Sequence, residues 1–556
     1  MENSRLLLAL VISLGIVFLY SQLLKWRYPH GIPGTPSANA SRAAAEATPA
    51  LPGAESSAAA GLLAAAGNST TSAAAISAAP GRYIEIDTSY YTAELNTLGG
   101  RLSSFTLKDY RETSASNSPP YQMIESADRL PLGLIAGQGD TIISDSQVNY
   151  STTALAKIVA TPGGDVTVAM TGATADGIKF EKSFVFKDGS YVFLLDGKTA
   201  STGAAKISGI GLTMSRPLNA LAGFRDIPAL EADVGGKVFN EDQRALLKGI
   251  QPLSGTITYA GFGDRYFLAA MLPVRPTDGT IVMDYEDSEA DAQLRFSNAS
   301  EVVSQVYMGP KKLDLLEAAN PSLSKAINFG WAGVIALPFL KLLQFFYRVA
   351  PNYGLDIILL TIVVRLLILP MSIKGQRSMM KMQRLQPQVE RIREKHKDDQ
   401  ERLNKEMVEL YKRNHVNPLG GCLPMLVQMP VFIGLYEALL NATELRHAPF
   451  IGWIRDLSAP DCVVIPGMPA IPFTHCHGIP VLVILMTATS FLQQWMAPRQ
   501  PDPSQQKMMM YMPVMFSLIF IDLPAGLTLY YFASNLLGII QQFVLNREFK
   551  QYTPAT

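Results

Sequence analysis

The sequence predicts a multi-domain membrane protein in which a large all-β domain precedes a polytopic α-helical core. Of its 556 residues, 48% are hydrophobic and only 17% are charged, a balance typical of chains with several membrane spans. Alternating segments of strand length fill the region up to about residue 320, and apolar runs of helical length follow it. The formal net charge is zero, which argues against a nucleic-acid-binding protein.

The chain begins with a predicted transmembrane anchor, residues 1–24. Arg5 precedes the apolar run LLLALVISLGIVFLYSQLL, which is longer than the core of a secretory signal peptide. The nearest small-residue cleavage pattern, Ala38-Asn39-Ala40, follows too late, so we expect the anchor to be retained; a cleaved signal is the alternative. Residues 25–81 are mostly Ala, Ser, Pro and Gly and predict a disordered linker.

Residues 82–320 are predicted to form a soluble all-β domain, built as a large sandwich. The segments YIEID, GIKFEKSFVF and SYVFLL alternate or run apolar over strand lengths. Between the last two, Lys187-Asp188-Gly189-Ser190 is typical of a hairpin turn.

Five apolar segments in the C-terminal half predict membrane spans, which makes six with the anchor. Residues 442–478 are predicted as a loop on the outer side, and residues 547–556 as a cytoplasmic tail. The predicted spans are residues 351–373, 417–441, 479–497, 508–522 and 526–546.

Residues 374–416 predict a helical hairpin in the cytosol. Apolar residues recur there at helical spacing on both sides of His396-Lys397-Asp398-Asp399, and the segment is the most basic loop of the chain. Its basic faces suit anionic lipids or a ribosome surface; a solvated hairpin without a partner is the alternative.

The segment before the first core span is predicted not to cross the membrane. If the anchor exports the β domain, the chain can cross the membrane only once between that domain and the cytosolic hairpin. Residues 321–350 are therefore predicted to lie along the outer membrane surface as an amphipathic helix, with both termini of the chain cytoplasmic.

Arg365 lies within the apolar run LDIILLTIVVRLLILPM, where a charge costs roughly 2.5 to 3.5 kcal/mol. Its helical rise places it about 13 Å from the cytoplasmic boundary. A buried ion pair is the ordinary explanation, but the carboxylates of Glu437 and Asp522 fall near the outer side by the same count.

Uncharged polar residues are predicted near the level of Arg365. Gln428 and Ser517 have about the same depth by helical rise, and Thr361 is one turn outward on the same helix. Asn535 adds an amide on the last span. An unpaired cation among polar groups indicates a hydrated cavity in the inner half of the membrane, where a transient anionic partner can be attracted.

Four segments resemble the YidC-type membrane protein insertases of Gram-negative bacteria. The resemblance extends over the whole chain and is strongest in the helical core. The segments are NPLGGCLPMLVQMPVFIGLYEALL (417–440), ELRHAPFIGWIRDLSAPD (444–461), QQKMMMYMPVMF (505–516) and GLTLYYFASNLLGIIQQ (526–542).

The resemblance implies an insertase without enzymatic activity or cofactor, located in the bacterial inner membrane. Its clients are nascent membrane proteins, inserted alone or with the Sec translocon. The family's groove arginine and threonine correspond to Arg365 and Thr361, its substrate-contacting methionine to Met429, and its tyrosine pair to Tyr530 and Tyr531. The periplasmic β domain is expected to be a supersandwich.

Two alternatives remain open from the residues. A secondary transporter also carries intramembrane charge, but it usually shows an internal repeat, and we find none in this sequence. Cys462 and Cys476 lie in the outer loop, where an oxidising compartment favours a disulfide; a metal site at His475-Cys476-His477 is the alternative.

Overall fold

The computed structural model describes residues 81–551 with short gaps. The gaps are residues 116, 125–128, 140, 202–205, 218–228, 242–244, 247, 287–288, 397–398, 415, 417–422, 468–470, 472–473, 475 and 498–502. The predicted anchor, the linker up to residue 80 and the last five residues of the tail lie outside the described residues.

Strands predominate in the described residues up to Pro310, and several of them, such as Asp165–Ala173 and Ile178–Lys187, alternate buried side chains with more exposed ones. The strands are β1 Tyr83–Asp87, β2 Tyr91–Asn96, β3 Arg101–Arg111, β4 Pro120–Gln122, β5 Gly133–Gln138, β6 Thr141–Ser144, β7 Lys157–Val159, β8 Asp165–Ala173, β9 Ile178–Lys187, β10 Val192–Ser201, β11 Gly209–Pro217, β12 Ala229–Val234, β13 Lys237–Glu241, β14 Leu253–Gly263, β15 Phe267–Pro273, β16 Thr277–Glu286, β17 Glu289–Ser297 and β18 Glu301–Pro310.

These strands form two sheets that share one hydrophobic core. The smaller sheet has the order β4-β3-β2-β1-β7, and the larger has the order β6-β5-β11-β17-β16-β14-β15-β18-β10-β9-β8, with β12 and β13 attached beside β14. Pairing is antiparallel except between β1 and β7. Aromatic rings join the sheets, since Tyr91 lies 6.5 Å from Phe186 and Phe105 lies 6.1 Å from Phe193. The turn predicted at residues 187–190 does connect β9 to β10.

Helices predominate after the β domain. They are α1 Leu313–Ala319, α2 Gly333–Tyr347, α3 Tyr353–Arg384, α4 Gln386–Lys395, α5 Gln400–Arg413, α6 Leu423–Asn441, α7 Val481–Met496, α8 Pro503–Phe520 and α9 Ala525–Gln551, with short strands β19 Val463–Val464 and β20 Gly478–Ile479 between α6 and α7. By length and composition, Gly330–Tyr347 and Tyr353–Arg384 could each cross a membrane, and Val481–Met496 and Met508–Phe520 are shorter apolar helices.

Several helices differ in length from the predicted spans. The helix that contains the span 351–373 continues to Arg384, and neither Pro370 nor Gly375, which both lie within it, ends it. Helix α8 begins before the predicted start at residue 508, at Pro503, whose fixed φ suits a first helical turn. Helix α9 extends to Gln551, beyond the predicted end at residue 546.

Helix α3 starts at a well-defined cap. The side chain of Asn352 accepts hydrogen bonds from the N–H groups of Gly354 and Leu355, which satisfies two donors of the first turn. At Gly354 a Cβ atom would lie 2.0 Å from the Phe450 ring. The glycine therefore allows the loop after α6 to pack directly on the start of α3.

The helical bundle is assembled around α3, α6 and α9. Helix α9 packs on both α3 and α7, α2 packs on α6 and α3, and α7 also contacts α8. Helices α4 and α5 form the hairpin that the apolar spacing indicates, and Asp399 caps α5 by accepting from the N–H of Arg402. The hairpin has a separate small core, formed by Met382, Leu385, Val389, Tyr411 and Val416.

The loop between α6 and α7 joins the bundle to the β domain. The guanidinium of Arg446 donates to the carbonyls of Arg111 and Glu112 at 2.7 and 3.2 Å, and Thr443 donates to the carbonyl of Lys311 at 3.2 Å. Further along, a disulfide links Cys462 to Cys476, with Cα atoms 5.7 Å apart. This loop is thus tied to both parts of the molecule.

Candidate functional site

Arg365 reaches across from α3 to α9. Its Nε donates to the hydroxyl of Ser534 at 2.8 Å, and its Nη2 donates to the backbone carbonyl of the same residue at 2.7 Å. Two of the guanidinium's five N–H groups are used in this way. The partner is a neutral residue, so the hydrogen bonds orient the cation without neutralising it.

The charge of Arg365 has no acidic counterpart in the part of the chain that the structure describes. Among those residues, no Asp or Glu oxygen lies within 4.0 Å of the guanidinium. The phenols of Tyr530 and Tyr531 are the ionisable groups that interact with it electrostatically in the described part of the chain. Within the described residues, Arg365 therefore does not form the buried ion pair with Glu437 or Asp522 that would be the ordinary explanation for a charge in this position.

Gln428 and Tyr530 form a second hydrogen-bonded pair on the same side of α9. The amide of Gln428, on α6, donates to the Tyr530 hydroxyl at 2.9 Å. Tyr530 precedes Ser534 by one helical turn, so both residues lie on one face of α9. The face toward α3 and α6 thereby combines a cation, an amide and a phenol within two turns.

Tyr531 belongs to an aromatic cluster next to this face. Its ring lies edge-on to Phe432 of α6 at 5.5 Å and to Phe520 of α8 at 4.9 Å. It also stands perpendicular to Tyr530 at 5.5 Å. The cluster provides an apolar boundary beside the polar group.

Other predicted site residues have different partners. Thr361 is fully buried and donates to the carbonyl of Ile357 on its own helix at 2.6 Å. Ser517 donates to the carbonyl of Val514 on α8 at 2.7 Å. Among the described residues, neither makes a hydrogen bond to another helix. A predicted depth close to that of Arg365 is therefore not accompanied by a hydrogen bond to it.

Asn535 faces away from Arg365. Its amide donates to the Ser490 hydroxyl at 2.6 Å and to the Met486 carbonyl at 3.3 Å, both on α7. Asn535 therefore links α9 to α7 by hydrogen bonds. Met429, on α6, is 45% exposed.

The sequence reasoning missed a polar stripe on α3. Ser372 and Gln376 follow Arg365 by seven and eleven residues, which places all three on one helix face. The amide of Gln541, on α9, donates to Ser372 at 3.0 Å and to Gln376 at 3.2 Å. Their spacing from Arg365 is the sequence signal that could have identified them.

Comparisons with known proteins agree with this arrangement of domains. The family described as "YidC periplasmic domain" matches residues 83–342, and that described as "60Kd inner membrane protein" matches residues 345–552. A "Membrane protein insertase YidC" of Citrifermentans bemidjiense is 36% identical over 558 residues, covering 98% of this chain and 99% of the relative.

A second relative gives the same result. An insertase of the same description from Nitratidesulfovibrio vulgaris is 36% identical over 586 residues, covering 99% of this chain and all of the relative. The solved structure described as "Active YidC insertase crystal structure with the first transmembrane domain resolved" is 18% identical, with a TM-score of 0.37, and covers 86% of this chain and 96% of that one. The chain belongs to the YidC family of membrane protein insertases of the bacterial inner membrane.

Proposed function

We propose that the chain inserts nascent membrane proteins through a polar groove whose fixed charge is Arg365. The observation that carries this proposal is the pairing of Arg365 with Ser534, a neutral residue. A membrane-embedded cation without a described carboxylate partner can attract an acidic or polar segment of a client. A site neutralised by its own carboxylate could not do so.

The polar stripe on α3 supports a route to that charge. Gln376, Ser372 and Arg365 share one helix face, and the first and last of them are separated by about 16 Å along the axis. Lys381 and Arg384 follow at the end of α3. Polar groups over this distance shorten the apolar path that a client's hydrophilic tail has to cross.

The proposed mechanism requires no bond to be made or broken. Arg365 draws the client's polar tail into the groove, while the client's apolar helix moves outward along α6 and α8 into lipid. Exposed Met429 on α6 and the neighbouring rings of Phe432 and Tyr531 suit that contact. Each Leu, Ile, Phe or Val of the client contributes about 0.3 to 0.6 kcal/mol at the bilayer centre. Over a whole span this is enough to drive insertion without a nucleotide.

The membrane arrangement is part of the same proposal. Helices α3, α6, α7, α8 and α9 are the five core spans, α2 lies along the outer surface, and both termini are cytoplasmic. The β domain is then a periplasmic supersandwich. The hairpin α4–α5, on the cytoplasmic side, is the contact for the ribosome or signal recognition machinery and for anionic lipids, and the Sec translocon is a partner for some clients.

The test is insertion of a single-span client into proteoliposomes by Arg365→Ala and Arg365→Lys variants. For a client with an acidic outer tail, we expect Arg365→Ala to slow insertion by about tenfold or more, since about 1.4 kcal/mol of lost stabilisation corresponds to a factor of ten. Arg365→Lys keeps the charge but not the paired hydrogen bonds to Ser534, so an intermediate rate is expected.

A client with a neutral tail is the matched control and should be affected much less by either change. Equal rates for all variants and both clients, with equal amounts of folded protein in the liposomes, would reject the role of Arg365. That result would leave the membership of the family intact.

A further inference from the structure

Two cavities lie side by side on the β domain, and the first of them also reaches the helical bundle. The first has a volume of about 600 Å³ and is bounded by β3, the residues after it, and the loop that follows α6. The second, of about 380 Å³, follows the β9–β10 turn and α1. Tyr90, Tyr191 and Leu315 belong to the walls of both, so the two cavities adjoin.

The walls of the first cavity combine tyrosines with charges of both signs. Tyr90 and Tyr191 stack with ring centroids 5.0 Å apart, and the ammonium of Lys312 lies 5.6 Å from the centre of the Tyr110 ring. We call this site the tyrosine cleft and define it by six lining residues, Tyr90, Tyr110, Tyr191, Lys312, Glu444 and Arg446.

The tyrosine hydroxyls of the cleft remain available as donors. Burial raises the pKa of Tyr110 and of Tyr191 above the ordinary value for a phenol, so both are protonated at neutral pH. Tyrosines that present a rigid ring and a hydroxyl are well suited to bind varied polypeptide segments with little loss of conformational entropy.

One wall of the cleft contains backbone that pairs with none of the strands that the structure describes. The register of β3 with β2 ends at Leu107, and its register with β4 passes from Leu107 directly to Arg111. Asp109 and Tyr110, which line the first cavity, therefore have no opposite residue in either ladder. Extended main chain of this kind is what an added peptide strand can bond to.

The cleft opens close to the outer ends of the bundle helices. Glu444 and Arg446 follow the end of α6 at Asn441 by only a few residues, and Gln344 of α2 donates to Glu444 at 3.0 Å. The cleft therefore lies close to where a segment that leaves the bundle on this side would emerge.

We propose that the tyrosine cleft holds an extended polar segment of a client protein on the outer side of the membrane. This inference rests on the insertase function proposed above and adds a receiving site to it. A peptide fits the cleft better than a lipid does, because charged side chains of both signs line the first cavity where an acyl chain would need an apolar slot. Asp109 and Glu444 can bind basic client residues, and Lys312 can bind acidic ones.

The test uses the full chain in proteoliposomes, with a benzophenone amino acid at Ser114 on the rim of the first cavity. A single-span client with a polar outer tail is inserted, and crosslinking to the tail is measured together with insertion. A synthetic peptide with the tail sequence is also titrated against the detergent-solubilised protein. Tyr90→Ala should raise the Kd of this peptide about tenfold, as expected for loss of an aromatic anchor.

Tyr83→Ala is the matched control, since Tyr83 is 53% exposed and lines neither cavity; it should leave the Kd unchanged. Insertion without a crosslink to the tail, or equal Kd values for the two variants, would overturn the receiving site but not the insertase function. Failure of the unaltered protein to insert the client would overturn both. A crosslink to phosphatidylglycerol in client-free liposomes, with none to the tail, would assign the cleft to lipid instead.

Discussion

Gly538 is the residue that lets two polar side chains approach α9 together. A Cβ atom at this position would lie 2.5 Å from Nε2 of Gln493 and 3.3 Å from Nη2 of Arg365. Both atoms are far ends of long side chains, which can shift. A small substituent can therefore be accommodated, whereas a large one has to displace the guanidinium from Ser534.

Substitutions at Gly538 should separate helix stability from insertion. Gly538→Ala is expected to leave insertion nearly unchanged and to gain up to about 1 kcal/mol from helix propensity. Gly538→Leu should displace Arg365 and forfeit hydrogen bonds of a charged donor, each worth about 1.5 to 3 kcal/mol, which lowers the insertion rate about tenfold or more. Insertion rates and thermal unfolding in detergent would be compared. Equal rates for the Leu and Ala variants would contradict the role given to the Arg365–Ser534 contact.

Part of the candidate site follows from sequence and part requires the tertiary structure. A lone arginine in an apolar run identifies Arg365 as unusual whatever surrounds it. Its partner Ser534 could not be found in this way, because a serine in a helix is commonplace and only the packing of α3 on α9 brings the two together. Asn535, next to Ser534, turns toward α7, since adjacent helical residues point about 100° apart.

The loop between α6 and α7 is an element held at several points. Asp461 accepts a hydrogen bond from the N–H of Leu482 in the first turn of α7, and another from the indole of Trp453 at 3.0 Å. Burial raises the pKa of the Asp461 carboxyl above its ordinary value. The disulfide between Cys462 and Cys476 closes the segment next to this cap.

Removing the disulfide should loosen the start of α7. Cross-linking across a sequence separation of 14 corresponds to about 3 kcal/mol of loop-closure entropy. In the Cys462→Ser, Cys476→Ser double variant we expect faster amide hydrogen exchange in β19, β20 and the first turn of α7. Helix α5, in the distant hairpin, is the internal control. Unchanged exchange in β19 and β20 would show that the hydrogen bonds of Asp461 suffice to hold the loop.

Element types were more predictable than element lengths. The spacing of Met382, Leu385 and Val389 indicates the hairpin and identifies its core, since a helical period follows directly from side-chain positions. The same spacing does not predict the helix boundary, because it continues from Met382, which is still part of α3, to Val389, which belongs to α4. Predicted spans end where the apolar run ends, whereas the helices continue because backbone hydrogen bonding does not stop at that boundary.

On the scale of the whole molecule, Arg446 connects the two large parts. Its guanidinium bonds to the carbonyls of Arg111 and Glu112 and also lies 5.0 Å from the ring centre of Tyr121 and 5.1 Å from that of Phe267. Charge-assisted hydrogen bonds and cation–π contacts act together at this point. The sequence contains this arginine in the ELRHAPF segment, but its role could not be inferred without knowing that the β domain lies against the loop.

Arg446→Ala should release the β domain from a fixed orientation while leaving each part folded. The β domain's core does not depend on Arg446, so its thermal unfolding should change little. Distances between spin labels, one on the exposed edge of the β domain and one on α5, should become more broadly distributed. Arg455→Ala, an exposed arginine in the same loop, is the matched control and should leave the distribution narrow. An equally narrow distribution in the Arg446→Ala variant would mean that the remaining contacts, including the bond from Thr443 to the Lys311 carbonyl, hold the two parts without it.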